Sequence, residues 1–288
     1  MDSSIETTTS GGRFRSDPHP SLRRFVVEYW GLARDLGSMG GFTITPDRFG
    51  ELICCADDLF VIRDGRREKL PRCFLVGLLD GPLRIEADGI VRCIAARLQP
   101  WAIGQISTNA PEPDSSRGWE DAEGFFRPRL APILEMVERC EWQVLAELLD
   151  ELLRDEADRW KPDLGCFGLA EQFVGIEPRP TEVVAQERRI TGRQVERRVR
   201  SLTRMSPKQL ACLSRFQRVR DAIWLDPSID LAGVAIDAGY SDQPHMTRHF
   251  RRYSGQTPAQ FARDSAAKKQ WLAALDVAFV QERAADKG

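Results

Sequence analysis

Residues 229–261 read IDLAGVAIDAGYSDQPHMTRHFRRYSGQTPAQF, and this stretch decides the fold of the last third of the chain. Asp230 opens an apolar-periodic run through Leu231, Val234, Ala235 and Ala238. Gly239 ends it, because a residue just past a helix end often takes a positive φ that glycine adopts with little strain. Ser241 and Asp242 can cap a second helix, and Pro244 falls in its first turn, where a missing N–H does no harm. On that helix Met246, Phe250 and Tyr253 stand at i, i+4 and i+7 and form one inward face. Gln243, His245, Thr247, Arg248 and Arg251 lie on or beside the outward face. Two short helices around a tight turn make a helix-turn-helix, whose second helix is shaped to enter a DNA major groove.

The pattern occurs twice. Met246, Phe250, Tyr253 and the tetrad Thr257-Pro258-Ala259-Gln260 repeat Val195, Val199, Leu202 and Ser206-Pro207-Lys208-Gln209 at a spacing of 51 residues. The Val234-Ala235 pair repeats Val184-Ala185 at a spacing of 50, so the second copy has one more residue in its turn. A repeated pattern is a repeated supersecondary unit. In the first copy residues 181–187 give the short helix and Thr191 can cap the next. Val195, Val199 and Leu202 form the buried face, with Arg193, Glu196 and Arg197 opposite. Arg189 stands where the second copy has its turn glycine, which implies a strained backbone or a different turn. Between the copies, Pro207 to about Leu225 fits one helix with Leu210, Leu213, Phe216, Val219, Ile223 and Trp224 as its apolar stripe. Roughly 18 residues at ~1.5 Å each span about 27 Å, enough to hold two reading helices near one DNA turn apart.

At these residues the chain resembles the AraC/XylS family of transcription regulators. The resemblance rests on A-x-x-x-G-Y-S-D-Q-x-H-x-T-R-x-F-R-R and G-x-T-P-x-Q-F within residues 229–261, and on RQVERR and SPKQL in the first copy. It covers residues 180–264 and departs at Arg189 and Arg204, where the family usually has glycine. It implies a double helix-turn-helix domain over residues 181–264 that binds double-stranded DNA. By position in the family motif, Arg193, Glu196 and Arg197 in the first helix and Gln243, His245 and Arg248 in the second face bases. Gln194 and Thr247 are placed on phosphates, and Thr191 at the start of the first reading helix joins the DNA-binding set. Arginine pairs bidentately with guanine, Gln243 suits adenine, and Glu196 can accept from cytosine. Arg251, Arg252 and Lys208 are left between phosphate contact and solvated face. The resemblance also implies contact with RNA polymerase and modulation by a small-molecule effector at the N-terminal domain.

Charge supports a nucleic-acid partner independently. Residues 179–264 carry 16 Lys and Arg against 9 Asp and Glu, a net of +7, and the rest of the chain carries 25 against 34. A whole-chain pI near 6.0 therefore hides a basic module joined to an acidic one.

The earlier sequence reads differently. Residues 1–17 are rich in Ser, Thr and Gly without a long apolar run, which predicts a disordered leader rather than a signal peptide. Phe25, Val26, Val27, Tyr29 and Trp30 form an apolar cluster, helix or strand. From Thr43 to Ile106 short apolar runs, such as 51–55, 60–62, 74–76, 83–85 and 91–94, alternate with Asp64-Gly65, Asp80-Gly81-Pro82 and Asp88-Gly89. This pattern predicts an antiparallel β sandwich or barrel. From about Pro128 to Trp160 the pattern is helical, with a break near Cys140 and Glu141. The fold class is then α+β, with a β-rich domain and its C-terminal helices over 18–172, a linker over 173–180, and an all-α double helix-turn-helix over 181–264. Residues 265–288 form a helical extension. The stretches Pro46–Ile53 and Leu70–Gly77 resemble a cupin-like sensor subgroup, and such a domain would sense a ligand or make a homodimer.

No catalytic constellation emerges. A histidine-built metal centre needs several histidines in the barrel, and the chain has only His19, His245 and His249. Cys54, Cys55, Cys73 and Cys93 read first as small hydrophobes of buried strands, with a soft-metal or redox role as the alternative. Asp47 with Glu51 and Asp57 with Asp58 read as solvated strand-end carboxylates. Trp30, Trp101 and Trp119 read as core aromatics, with pocket lining as the alternative. The expectation is a regulator that is not an enzyme, needs no metal or cofactor, spans no membrane and works in the cytoplasm, where seven cysteines without CxxC stay reduced. The rivals are an enzyme in the N-terminal domain targeted by DNA binding, and an interaction module with a degenerate helix-turn-helix.

Overall fold

A computed structural model describes residues 13–36, 41–106, 118–127, 129–157, 164–174 and 179–265. Among the described residues ten strands build two antiparallel sheets, with strand order β1-β2-β9-β4-β7-β10 in one and β3-β8-β5-β6 in the other. The larger sheet is formed by β1 (Arg13–Ser16), β2 (Val26–Asp35), β4 (Gly50–Cys55), β7 (Cys73–Val76), β9 (Ile90–Leu98) and β10 (Trp119–Asp121). The smaller holds β3 (Phe42–Ile44), β5 (Phe60–Arg63), β6 (Arg66–Lys69) and β8 (Leu83–Glu86). Because successive side chains in a strand point to opposite faces, the inner strands β2, β4, β7 and β9 of the larger sheet each feed two cores. On β4, Ile53 and Cys55 join Trp30, Phe74, Val61 and Ile85 between the sheets. Leu52 and Cys54 point the other way, into a core shared with the helices. All six residues of β4 are consequently buried.

The outer face of the larger sheet is covered by α3 (Leu130–Glu138) and α4 (Trp142–Ala157), which are separated by Cys140 at φ 58° where the sequence predicts a break. Gly31 on β2 leaves room for Trp142, whose ring carbons would lie 2.8 Å from a Cβ at that position. The Tyr29 hydroxyl donates to Asp150 at 3.1 Å and ties sheet to helix. The expected runs at 51–55, 60–62, 74–76, 83–85 and 91–94 are all strands, and Asp64-Gly65 is the two-residue turn of the β5–β6 hairpin.

Four expectations need correction. Arg13–Ser16, placed in the disordered leader, pairs with Leu32–Tyr29 as an edge strand because Phe14 has a core to enter. Residues 173 and 174 close α5 (Leu164–Val174) instead of opening the linker, and α5 packs on α7 and α8 of the next domain. Asp47 and Glu51 are buried, not solvated, because both meet Arg97. Cys54 and Cys73 are joined in a disulfide. The expected extension at 266–288, the first twelve residues and residues 175–178 lie outside the described residues. No helix among the described residues is long and apolar enough to cross a membrane.

From Thr181 the chain is helical: α6 (Thr181–Glu187), α7 (Gly192–Thr203), α8 (Pro207–Leu225), α9 (Leu231–Asp237), α10 (Gln243–Ser254) and a helix from residue 258. Phe216 at the middle of α8 holds this bundle, with ring centroids 5.1 Å from both Phe250 and Tyr253.

Candidate nucleic-acid interface

Each helix that carries predicted reading residues begins at a built cap. Thr191 accepts from the Gln194 backbone N–H, while the Gln194 side-chain oxygen accepts from the Thr191 backbone N–H at 2.8 Å. This capping box satisfies two donors that the start of α7 would otherwise leave open. Ser206 and Gln209 repeat the device on α8, as do Thr257 and Gln260 at the last helix. Asp242 caps α10 by accepting from the His245 N–H, and that bond holds its carboxyl below the usual range.

The caps fix which side chains face out. On α7, Val195, Val199 and Leu202 are buried, while Thr191, Arg193, Glu196 and Arg197 are exposed and Gln194 is half-buried. On α10, Met246, Phe250 and Tyr253 are buried, Gln243 and Arg248 are exposed, and His245 and Thr247 are half-buried. None of the nine predicted residues is in the core. The structure also gives several of them local partners. Glu196 pairs with Arg200 one turn on at 3.2 Å, and Thr191 and Gln194 hold each other in the cap. The His245 ring lies 3.1 Å from the Ser241 hydroxyl and packs edge-on against Tyr240 and His249. Burial, then the neighbouring His245, Arg252, Arg215 and Arg248, keep the His249 imidazole below its ordinary pKa and so favour its neutral form.

Four contributors escaped the sequence reading, Arg218 and Arg220 on α8 and two in the β domain. Arg218 on α8 donates to the carbonyls of Asp237 and Ala238, at 3.4 and 3.1 Å, and closes the C-terminal end of α9 beside the turn. Two come from the β domain. Its helix α1 (Pro100–Ile106) lies against the end of α7 so closely that a Cβ on Gly104 would stand 2.2 Å from the Ser201 carbonyl oxygen. The turn after β7 places Asp80 in an ion pair with Arg252 at the end of α10. Arg220 on α8 also donates to the Pro46 carbonyl at 3.1 Å. No local sequence signal marks these contacts, since the partners are far apart in the chain.

The C-terminal domain is therefore a double helix-turn-helix. Residues 184–264 match the family described as "Helix-turn-helix domain". No curated protein matches the chain at a significant level. Among solved structures, ToxT from Vibrio cholerae is similar over 82% of this chain and 98% of its own, with 7% identity and a TM-score of 0.44. A DNA-binding transcriptional dual regulator from Escherichia coli K-12 is similar over 35% of this chain and 88% of its own, with 22% identity and a TM-score of 0.29. The AraC-like transcriptional activator CuxR is similar over 94% of this chain and 84% of its own, at 11% identity and a TM-score of 0.20.

Proposed function

We propose that this protein is a sequence-specific transcription regulator that lays α7 and α10 into neighbouring major grooves of double-stranded DNA. The observation that carries the reading is the paired exposure of Arg193, Glu196 and Arg197 on α7 and of Gln243 and Arg248 on α10, each set on the face opposite a buried stripe. The rigid α8 between them has 19 residues, about 28 Å of helix, near the ~34 Å advance of one DNA turn. Arg193, Arg197 and Arg248 are assigned to guanine edges, Gln243 to adenine, and Glu196 and His245 to further base contacts. Thr191, Gln194 and Thr247 are assigned to the phosphate backbone, Thr191 and Gln194 chiefly by fixing the start of α7.

The β domain is assigned the regulatory role, with a small-molecule effector and a homodimer as its partners and RNA polymerase as the partner of the DNA-bound form. A cavity between the two sheets supports the effector. It is small, and its walls include Trp30, Phe42, Ile44, Phe74, Ile85 and Cys93. With such walls it suits an apolar group, and no chemistry by the protein is required. The domain contacts at Gly104, Pro46 and Asp80 give an effector a physical route to the reading helices by shifting the balance of domain arrangements. Such a regulator works in the cytoplasm.

Selection of bound sequences from a random DNA pool tests this reading. It predicts enrichment of an asymmetric site with two contacted segments, bound with a strong salt dependence. Recovery of no common sequence, with binding indifferent to salt, overturns it.

A further inference from the structure

Strand β4 carries two adjacent cysteines, and each faces a cysteine of a neighbouring strand. Cys54 lies opposite Cys73 of β7, and the two are joined in a disulfide with Cα atoms 4.4 Å apart. Cys55 lies opposite Cys93 of β9, and both are free and buried. The side chains alternate, so the first pair sits on the helix side of the sheet and the second in the core between the sheets.

The hydrogen-bond ladder shows that both pairs occupy the same kind of site. On the β7 side the Cys55 N–H donates to the Arg72 carbonyl at 2.7 Å; on the β9 side the Ala56 N–H donates to the Arg92 carbonyl at 3.0 Å. Bonded and non-bonded pairs alternate along an antiparallel ladder. Cys54 with Cys73, and Cys55 with Cys93, are therefore both non-bonded pairs. Such pairs bring their Cα atoms to about 4.5 Å, within the ~4.4–6.8 Å that a disulfide spans. One of the two equivalent sites is already bridged. At the other, the two thiols are free and face each other across the ladder. Cys93 also lines the cavity between the sheets, which gives a small oxidant a way to its sulfur.

We propose that Cys55 and Cys93 are a reversible dithiol–disulfide site, oxidised by a peroxide entering the cavity and restored by a small thiol, and that its state is passed along β9 to the DNA-reading domain. The Cys93 thiolate attacks one peroxide oxygen and the O–O bond breaks, leaving a sulfenic acid and a hydroxide that takes up the thiol proton as water. The Cys55 sulfur then attacks the Cys93 sulfur; the S–S bond forms, the S–O bond breaks, and a second water leaves with the Cys55 proton. Two thiols and one hydrogen peroxide give one disulfide and two waters. Burial pushes the Cys55 thiol well up, with the neighbouring Cys93 adding to it, so Cys55 keeps its proton until the second step.

The placement on β9 gives the modification a route. This strand ends at Leu98 and runs through Gln99 into α1, whose Gly104 lies on the backbone of α7. A covalent tie between β4 and β9 would join the existing tie between β4 and β7, fixing three adjacent strands to one another. This regulatory half rests on the DNA-binding function proposed above; the thiol chemistry does not.

The test uses the full chain, exposed to hydrogen peroxide, then unfolded, alkylated and mapped by peptide mass. The expected result is a Cys55–Cys93 link two hydrogens lighter than the reduced pair, reversed by dithiothreitol and absent in Cys93→Ser. Cys55→Ala serves the same purpose should Cys93→Ser fail to fold. Oxidation should change affinity for the selected DNA site by about five-fold or more in the native sequence and leave Cys93→Ser unchanged. Full alkylation of Cys55 and Cys93 after peroxide has oxidised Cys140 and Cys212 overturns the site. A link without a change in affinity overturns its passage to α7. Failure of the reduced protein to bind DNA overturns the proposed function instead, and the mass map still decides the thiol pair.

Discussion

The two helix-turn-helix copies adopt the same backbone with different residues. Where the second copy has Gly239 at φ 78° and Gly255 at φ 77°, the first has Arg189 at φ 53° and Arg204 at φ 62°. These are the turn after the short helix and the end of the longer helix in each copy. The left-handed conformation costs a residue with a Cβ about 1–2 kcal/mol, so the first copy folds against a cost the second avoids. The fold therefore dictates the backbone shape at these positions, and the residue identity follows only where it lowers strain. The copies also differ in how the β domain touches them. α1 abuts α7 through backbone contact at Gly104, whereas α10 is met by an ion pair at Asp80 that solvent reaches. The strained copy is the one held most tightly from outside.

The largest expected effect falls most heavily on the second copy. Phe216→Ala removes the ring shared by Phe250 and Tyr253 and should lower stability by about 3–5 kcal/mol, measured by denaturant unfolding, with the loss of order concentrated in α10. Next come the residues proposed to read bases. Arg248→Ala should cost about 1–3 kcal/mol on the selected site, and Arg197→Ala should relax a different base position. Equal losses on all sequences would reassign either arginine to phosphate.

Exchanging the turn residues sharpens the contrast further. Arg189→Gly should stabilise the protein by roughly 1 kcal/mol by relieving the strained φ, and Gly239→Arg should destabilise it by a similar amount. Thermal unfolding of the two variants would move in opposite directions. If both move the same way, strain does not distinguish the copies. The smallest effect belongs to the exposed contact: Asp80→Asn should change stability by no more than about 1 kcal/mol, because solvent screens the Arg252 pair.

How much of this was legible in the sequence follows from where each determinant sits. The C-terminal helices could be read almost to the residue because their caps are local: Thr191, Ser206, Asp230 and Asp242 each lie within three residues of the N–H they receive. Strands with apolar runs were equally legible. Strand β6 was not, since Arg66-Arg67-Glu68-Lys69 is an exposed edge whose charges discourage further pairing instead of filling a core. Helix α1 was hidden for the opposite reason. Six of its seven residues are buried, so it has no polar face to give a period. Asp47 and Glu51 were misread because Arg97 lies 50 and 46 residues away and only the sheet register brings them together. The cysteine pairs were illegible on the same ground: adjacency of Cys54 and Cys55 is visible, but their partners on β7 and β9 are set by register.

Among the candidate residues, the sequence placed all nine outside the core and missed what holds their helices. Arg218, Gly104 and Asp80 act across chain separations that no motif spans. The local chemistry of a reading helix is written within it, whereas its mounting is not.

Protection of the selected DNA against cleavage, taken across a salt titration, bears most directly on the claim that α7 and α10 read one duplex together. Two protected segments with centres about one helical turn apart, ~10 base pairs, are predicted, with affinity falling steeply as salt rises. Arg193→Ala with Arg197→Ala should erase one segment, and Gln243→Ala with Arg248→Ala the other. A single segment that either pair of substitutions erases, or an affinity indifferent to salt, would contradict the account.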